Sequence, residues 1–369
     1  MSSQTQVPGT FPFYRLSGTH REIGRQFGQA CADLIHRHQT RAVERLQRVQ
    51  GVPLESALAA ALRFRPFVLE HAPFLDEEVQ GVAEGAGITL AEAYLLQLRA
   101  ELGTPSIVRA PVAAEAEAGD ECTSFAVLAE ATSDGTALVG QNADLPAFYS
   151  EIGVVLEIVP DDQPALLMLT PAGQVSYIGM NDQGLGIFAN FVTCDGWRLG
   201  FPRYFLSRLG LSQESVDGAI AAVRAVPRAS SRNLMLLDRH GAADLETTPT
   251  RDARLEPEDG LLAHSNHYVA AALQGEERSK DPGLSNSRVR LRRMRDLLAE
   301  RRGELNASAM QEVLRDRACY PDTICRVPGD AASDVITFAS VIAAPSAGEL
   351  WVAVGPPNEH GYQHHAFSM

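Results

Sequence analysis

Apolar residues recur every three or four positions through much of the first third of the chain. This spacing places them on one face of an α-helix. Ile23 and Phe27 follow it directly after residues 19–22, Thr-His-Arg-Glu, which form a capping box typical of a helix start. A second capping box, Thr-Leu-Ala-Glu at residues 89–92, precedes another apolar stretch. The pattern predicts a helical lobe over about residues 15–103.

From residue 122 onward the apolar residues instead form short runs of strand-forming residues, bounded by turn residues. The predicted strands include VVLEIV, ALLMLT, LGIFANFV, NLMLLD and VITFASVIAA. Several are apolar on both faces, as in sheets that are covered on both sides. Helical stretches separate blocks of strands without strict alternation, which favours a layered α+β sandwich over a dinucleotide-binding fold. Glycines in GMNDQGLG belong to a hairpin turn, so no phosphate-binding loop is predicted.

The net charge of the chain bears on the classes of molecule that it can bind. The chain has 46 acidic and 32 basic residues and a net charge of −14, which argues against nucleic acid or an anionic membrane as partner. The arginines between Arg288 and Arg302 alternate with leucines at helical spacing, and we predict that they form a solvated helix face. No secretory signal and no apolar run of ~18 residues is visible, so a cytoplasmic protein is predicted.

The cysteines and histidines indicate neither a disulfide framework nor a metal site. The five cysteines are odd in number and widely scattered, which is typical of a reduced intracellular protein. The histidines near the end of the chain, His360, His364 and His365, have no carboxylate or thiol at ligand spacing beside them. We therefore expect no metal and no cofactor.

Cys122 lies where an acidic linker, residues 111–121, meets the first predicted strand. Three interpretations compete. It could be a buried structural thiol, or a papain-like thiolate served by His264 or His267. The third is that cleavage of the Glu121–Cys122 bond gives Cys122 a free α-amine. An α-amine has a pKa of ~7.7–8.0 and can act as general base toward its own thiol.

The order of motifs after Cys122 resembles the isopenicillin-N acyltransferase family of N-terminal-nucleophile hydrolases. The matching motifs are Cys-Thr-Ser at 122–124, Gly-Gln-Asn-Ala-Asp at 140–144, Ile-Gly-Met-Asn at 178–181, Gly-Leu-Gly at 184–186, His-Ser-Asn-His at 264–267, Tyr-Pro-Asp-Thr-Ile-Cys-Arg at 320–326 and Gly-Pro-Pro-Asn at 355–358. The helical lobe is similar to the family's α-subunit at residues 21–28 and 77–88. The likeness thus covers most of the chain.

This resemblance implies a four-layer αββα sandwich, made as a precursor and cut between Glu121 and Cys122. Residues 1–121 would form a helical pro-segment or α-subunit, and residues 122–369 the catalytic β-subunit. Cys122 would be the nucleophile and its freed amine the base. Asn266 would serve the oxyanion hole, although it could instead cap a loop.

The resemblance also assigns two supporting residues. Asp144 would orient the new amine, although an Asx-turn before Pro146 would also explain it. Ser124 would supply a hydroxyl near the nucleophile.

Three positions depart from the family pattern. Glu121 replaces the usual glycine before the cysteine, which could slow processing. Ala143 stands where the penicillin-forming members carry an aromatic residue. Ala332 and Ser333 align with a Ser-Arg pair, so a possible carboxylate clamp is lost. Ala143, Ser333 and Phe148, in a neighbouring loop, are the predicted substrate-binding residues.

Together these features predict a self-processing cysteine amidohydrolase that cleaves linear amides through a thioester. Its partners would be a small amide or acyl substrate and its own cleaved α-subunit. The alternatives are an acyltransferase that uses acyl-coenzyme A or an amide, and an unprocessed binding protein of the same fold. The sequence does not specify the acyl group, the amine or the oligomeric state.

Overall fold

The computed structural model describes residues 9–109, 121–330 and 334–368, apart from the side chains of Val49 and Glu121. The described helices are α1 (His20–Ala30), α2 (Ala32–Gln50), α3 (Leu54–Leu62), α4 (Arg65–His71), α5 (Pro73–Ala86), α6 (Leu90–Leu96), α7 (Pro105–Val108), α8 (Arg203–Leu211), α9 (Val216–Ala225), α10 (Gly283–Glu300) and α11 (Ala307–Leu314). Both predicted capping boxes are present, at Thr19 and Thr89.

The described strands are β1 (Phe13–Gly18), β2 (Glu121–Val127), β3 (Leu138–Pro146), β4 (Gly153–Pro160), β5 (Leu166–Pro171), β6 (Ile178–Asn181), β7 (Gly186–Asn190), β8 (Arg232–Asp238), β9 (Gly241–Thr247), β10 (Asp252–Leu255), β11 (Leu261–His264), β12 (Val335–Ala344), β13 (Glu349–Val354) and β14 (Tyr362–Ala366). Within the described residues they form an eight-stranded sheet of order β1-β4-β5-β6-β7-β8-β9-β10. The second sheet has six strands, in the order β11-β2-β3-β12-β13-β14.

Alternating side chains along the strands build separate apolar cores on the two faces of each sheet. On β4 of the larger sheet, Val155 points to the core between the sheets, whereas Leu156 joins the core shared with the helical lobe, α8 and α9. On β12 of the smaller sheet, Val341 faces the larger sheet and Ile342 packs with α10 and α11. This order of helices, sheet, sheet and helices confirms the predicted αββα sandwich.

Strand β1 was not predicted from the sequence, and it connects the N-terminal helices to the larger sheet. It runs parallel to β4, with Phe13 opposite Val155 and Gly18 opposite Pro160. The helices that follow pack on the same sheet through one continuous apolar core. The helical lobe therefore shares both hydrogen bonds and core with the sandwich.

Strands β2 and β3 form the hairpin that positions Cys122. Cys122 lies opposite Ala143, and Glu121 lies opposite Asp144. Strand β12 is buried along its whole length between β3 and β13, which explains its apolar character on both faces.

Helices α1 and α5 approach each other so closely that only glycine fits at the crossing. A Cβ atom at Gly24 would lie 2.1 Å from the Glu78 carbonyl oxygen, and one at Gly81 would lie 2.4 Å from the Arg21 carbonyl oxygen. Gly28 and Gly85 are equally close to the opposite backbone. Because these obstacles are backbone atoms, no side-chain rotation can relieve them.

We therefore predict that Gly24→Ala lowers the free energy of unfolding by about 1–3 kcal/mol, the usual cost of overpacking. Intrinsic helix propensity alone would change it by about 1 kcal/mol in the opposite direction. The control is Gly283→Ala on α10, where a Cβ would meet no atom within 4 Å. Urea denaturation measures both variants, and equal stability in the two would contradict the close packing.

Candidate active site

Cys122 is buried at the start of β2, with 2% of its surface exposed. Its backbone nitrogen donates to Asn266 Oδ1 at 2.8 Å. Its carbonyl oxygen accepts from Arg290 Nη1 at 2.8 Å and from Asn190 Nδ2 at 3.1 Å. Side chains from three separate parts of the chain thus hold both backbone polar groups of this residue.

Arg290 corrects the prediction that the arginines of α10 form a solvated face, because its side chain is fully buried. Its guanidinium donates to the Cys122 carbonyl and to Thr123 Oγ1, each at 2.8 Å, and to Asn266 Oδ1 at 2.9 Å. The helical spacing could have predicted that Arg290 is buried. Arg290 lies three residues after Ser287 and four before Met294, both of which are also buried.

Asn266 follows β11 and is brought beside Cys122 by the pairing of β11 with β2. Its Oδ1 faces two donors, Cys122 N–H and Arg290, whereas its Nδ2 donates to the Phe191 carbonyl at 2.9 Å. Its backbone nitrogen donates to Ser287 Oγ at 2.7 Å. In the intact chain, Asn266 therefore holds the nitrogen of the bond expected to be cut.

Asp144 is fully buried on β3, in the strand position opposite Glu121. Its Oδ1 accepts from Thr337 Oγ1 at 2.7 Å, and its Oδ2 is buried with no hydrogen-bond partner in the described part of the chain. Burial raises the pKa of Asp144 to about 7, although Arg290 and Thr337 favour the ionised form. This carboxyl group thus accepts a hydrogen bond from the neighbouring strand β12, and its pKa lies close to neutral pH.

The Cys122 thiol is strongly shifted by the same surroundings. Burial and the Asp144 charge raise its pKa to about 12, and a hydrogen bond from the Asp144 backbone opposes the shift, as do the charges of Arg290 and Arg232. At neutral pH the thiol of the intact chain is therefore protonated, and it needs a proton acceptor before it can act as a nucleophile.

Ser124, a further predicted site residue, is buried and turned toward the larger sheet. Its Oγ donates to Asn190 Oδ1 at 2.6 Å, and Asn233 Nδ2 donates to the same oxygen at 3.1 Å. Asn233 in turn donates to Asp244 Oδ1 at 2.7 Å. Ser124 is thus part of a polar network that crosses between the sheets and reaches the Cys122 carbonyl through Asn190.

The far end of this network is a buried group of charges around His264. The ring Nε2 lies 2.9 Å from Glu246 Oε1 and 3.9 Å from Asp244 Oδ2. Burial alone would lower the pKa of His264, but the two carboxylates outweigh it and raise the pKa to about 8. Burial raises the pKa of Asp244 to about 6 against the favourable charge of His264. His264 is accordingly an ion-paired supporting residue.

The three predicted substrate-binding residues differ in where they lie relative to Cys122. Ala143 lies directly opposite Cys122. Phe148 stacks on Tyr149 with ring centroids 4.3 Å apart, and both line a cavity of about 30 Å³ that Arg99 and Gln174 also border. Ser333, like most of the predicted linker 111–121, lies outside the described residues. The structure thus brings Ala143 to the cysteine and Phe148 to a cavity wall.

The described part of the chain contains neither a metal-binding cluster nor a membrane-spanning helix. No group of three or more His, Cys, Asp and Glu side chains is arranged to hold a metal ion there. None of the helices there has the length and apolar character needed to cross a membrane.

Two packed sheets between helical layers, with a buried cysteine at the start of an inner strand, define the N-terminal-nucleophile hydrolase fold class. The family model for acyl-coenzyme A:6-aminopenicillanic acid acyl-transferase matches residues 131–359. The chain therefore belongs to this family of enzymes, which confirms the resemblance found in the sequence. The match begins after Cys122 and does not include it, so only the geometry of its site bears on the role of this residue.

The chain is also similar to individual proteins of known name. The chain is 26% identical to the acyl-coenzyme A:6-aminopenicillanic-acid-acyltransferase 40 kDa form of Emericella nidulans, over 92% of each chain. Distant solved structures include the conjugated bile acid hydrolase of Clostridium perfringens (14% identity, TM-score 0.48, 67% of this chain and 97% of that one). Another is the penicillin V acylase of Agrobacterium tumefaciens (12% identity, TM-score 0.44, 63% of this chain and 83% of that one).

The His264 charge group predicts a pH-dependent contribution to stability. Because the folded-state pKa of His264 is about 8, above the ordinary 6.5, its stabilisation is complete below pH ~6.5 and is lost as the pH rises through ~8. We therefore expect His264→Gln to lower the free energy of unfolding more at pH 6 than at pH 9, by about 1–2 kcal/mol. Denaturant titration at the two pH values measures this, with the exposed His240→Gln as control. A loss independent of pH would contradict the buried ion pair.

Proposed function

We propose that the protein is a self-processing cysteine amidohydrolase, with Cys122 as nucleophile after cleavage of the Glu121–Cys122 bond. The observation that carries this proposal is the convergence of Asn266, Arg290 and Asn190 on the backbone of Cys122. A merely structural thiol needs no such arrangement. Asn266 holds the nitrogen of the bond to be cut, and Arg290 and Asn190 hold the carbonyl of the following peptide unit, so the backbone is fixed on both sides of the thiol.

Cleavage begins with attack of the Cys122 thiol on the Glu121 carbonyl carbon. The C–N bond breaks, the Glu121 acyl group moves to sulfur, and the nitrogen leaves as an amine that has taken up the thiol proton. Water then hydrolyses the thioester, which releases the Glu121 carboxylate and the thiol. Asp144, whose pKa is about 7, is suited to take up the thiol proton before the α-amine exists.

In the cleaved enzyme the base comes from Cys122 itself. The nitrogen that now lies 2.8 Å from Asn266 Oδ1 becomes an α-amine, with an ordinary pKa of ~7.7–8.0. Asn266 would hold this amine within reach of the thiol, and the Asp144 carboxylate would orient it. The amine takes the thiol proton as sulfur attacks the substrate amide and returns it to the leaving amine.

The substrate carbonyl becomes an oxyanion during this attack. The side-chain amide of Asn266 is the proposed donor to it, and such a donor is worth about 3–4 kcal/mol. Ser124 contributes indirectly, because it fixes Asn190 on the Cys122 carbonyl. Water finally hydrolyses the thioester acyl-enzyme.

The acyl group of the substrate would lie against aromatic side chains next to Cys122. Tyr149, Phe338 and Tyr177 form a chain of ring contacts, with centroids 5.9 and 6.2 Å apart. Phe148 extends this wall to the cavity. Ala143 leaves room opposite the nucleophile, and Ser333 remains a proposed binding residue. A small, partly apolar amide fits this wall.

After cleavage, residues 1–121 would stay bound as an α-subunit. Strand β1 is hydrogen-bonded along β4, and the N-terminal helices share an apolar core with α8 and the larger sheet. The cleaved protein is therefore expected to remain a heterodimer under native conditions.

A second candidate is acyl transfer to an amine, from acyl-coenzyme A or an amide. It is favoured by the names of the matching family and of the Emericella nidulans relative. In this case an amine instead of water accepts the acyl group from sulfur. Faster consumption of a thioester substrate on addition of an amine distinguishes this function from hydrolysis.

Intact mass spectrometry of the purified protein tests the cleavage. We expect two fragments that meet at Glu121–Cys122 in the wild type, and a single 39.8 kDa chain in Cys122→Ala. The matched control is Cys325→Ala, which removes another buried thiol whose pKa is raised to about 12 by burial and should leave cleavage intact. A single chain in wild type would instead support the unprocessed binding protein.

Asn266→Ala tests the proposed oxyanion donor in the cleaved enzyme. We expect kcat to fall about 10²–10³-fold with a smaller change in KM, because the donor acts mainly in the transition state. Steady-state amide hydrolysis measures this, with correct cleavage first verified by mass. A variant with unchanged kcat would remove Asn266 from the oxyanion hole.

A further inference from the structure

Arg232 begins β8 and is buried, with 4% of its surface exposed. Its guanidinium lies over the Tyr204 ring, 4.8 Å from the centroid, and its Nη2 is 3.4 Å from Ser207 Oγ. Its Nε is buried without a hydrogen-bond partner in the described part of the chain. The side chain is thus held in place by α8 while part of its donor capacity is unused.

The two buried arginines of α8 have acidic partners. Arg208 Nη2 lies 2.6 Å from Glu78, and Arg203 Nε lies 3.6 Å from Glu101. Arg232, in contrast, forms no ion pair with an acidic side chain of residues 9–109, 121–330 or 334–368. Burial lowers the pKa of Arg232 to about 10, so the group is still charged at neutral pH. A buried charge without a counterion is costly unless a ligand supplies one.

The position of Arg232 connects it with the nucleophile. The Tyr204 ring on which its guanidinium lies belongs to the apolar core between the sheets, which also contains Cys122. The charges of Arg232 and Cys122 also influence each other, as the pKa shifts of both groups indicate. A group bound by Arg232 would therefore lie close to the reacting sulfur.

Tyr177 completes this corner of the site. Its ring contacts Tyr204 with centroids 6.0 Å apart, and its own ionisation responds to both Arg232 and Cys122. Its hydroxyl has no hydrogen-bond partner among the described residues, and it belongs to the aromatic wall next to the cysteine. The Arg232 guanidinium and Tyr177 thus both pack against Tyr204, in the core that contains Cys122.

We propose that Arg232, assisted by the Tyr177 hydroxyl, binds a carboxylate that the substrate carries close to its scissile amide. This deepens the proposed function, on which it rests, by naming the substrate class: amides with a carboxylate either on the amine, as in N-acyl amino acids, or on the acyl group, as in dicarboxylic monoamides. Arg232, at the start of β8, replaces the carboxylate clamp that the sequence lacks at Ala332 and Ser333.

The first experiment uses alkylation of Cys122 in the cleaved protein and needs no substrate. Iodoacetate carries a carboxylate and iodoacetamide does not, so the ratio of their rates isolates the effect of that charge from any change in the thiol. We expect Arg232→Gln to lower the iodoacetate-to-iodoacetamide rate ratio about 10–100-fold, the loss of a charge-assisted hydrogen bond. Peptide mass spectrometry after timed quenching measures both rates.

The matched control is Arg228→Gln, which removes a neighbouring buried arginine whose guanidinium donates only to the backbone carbonyls of Val223, Thr248 and Arg251 among the described residues. Its ratio should equal that of the wild type, and Arg232→Lys should restore part of the ratio. Cleavage at Glu121–Cys122 in each variant verifies its fold. Equal ratios in wild type and Arg232→Gln overturn the proposal, as does a Cys122 that neither reagent reaches.

The second experiment separates the two positions of the carboxylate. One arm compares an N-acylglycine with the corresponding N-acylglycinamide, and the other compares succinic monoanilide with butyric anilide. In the arm whose acid carries the carboxylate at the bound position, Arg232→Gln should lower kcat/KM for the acid about 10–100-fold. The kcat/KM of the neutral substrate in that arm should stay nearly unchanged. Equal losses for acid and neutral partner would overturn substrate binding by Arg232. If the wild type cleaves none of the four, the amidase function fails, while the alkylation ratio still decides the role of Arg232.

Discussion

The guanidinium of Arg290 is the interaction on which the geometry around Cys122 depends. It joins helix α10 to the carbonyl of Cys122 on β2 and to Asn266 in the loop after β11. The oxygens of Cys122, Thr123 and Asn266 to which it donates are neutral, and its Nε is anchored within the helix by Asn286 at 2.8 Å. A charge desolvated in this way is tolerated because its donors are directed at hydrogen-bond acceptors. Its loss would remove one hydrogen-bond donor from the carbonyl of Cys122 and one from Asn266 Oδ1 at the same time.

The polar groups behind Cys122 give the sandwich a connection that apolar packing cannot provide. From Asn190 the hydrogen bonds continue through Asn233 to Asp244, next to the ion pair of His264 with Glu246. Apolar cores on both sides exclude water from this path. Because an unsatisfied polar group is expensive in such surroundings, each member constrains the orientation of the next. The orientation of the nucleophile strand thus depends on both sheets.

Family membership and site geometry contribute different kinds of information. The matched family model establishes the family to which the chain belongs, but its match begins beyond the cysteine. The contacts around Cys122 identify which bond and which side chains the chemistry would use. Neither the motifs nor the family indicates a role for Arg232. The carboxylate-binding role proposed for it depends on the absence of an acidic partner among the described residues.

The sequence by itself determined the helix starts at Thr19 and Thr89, the strands apolar on both faces, the layered α+β class and the hairpin that begins at Cys122. These features depend on local capping, side-chain periodicity and turn residues, all of which are visible over short stretches of chain. The ordered motifs also identified Cys122, Asn266 and Asp144 as neighbours, and the structure brings them together. Tertiary structure alone decided that β1 joins the larger sheet and that Arg290 and Arg232 are buried. An arginine on a helix or at a strand start has the same local pattern whether it faces water or a reacting bond, because its burial depends on packing against residues distant in the chain.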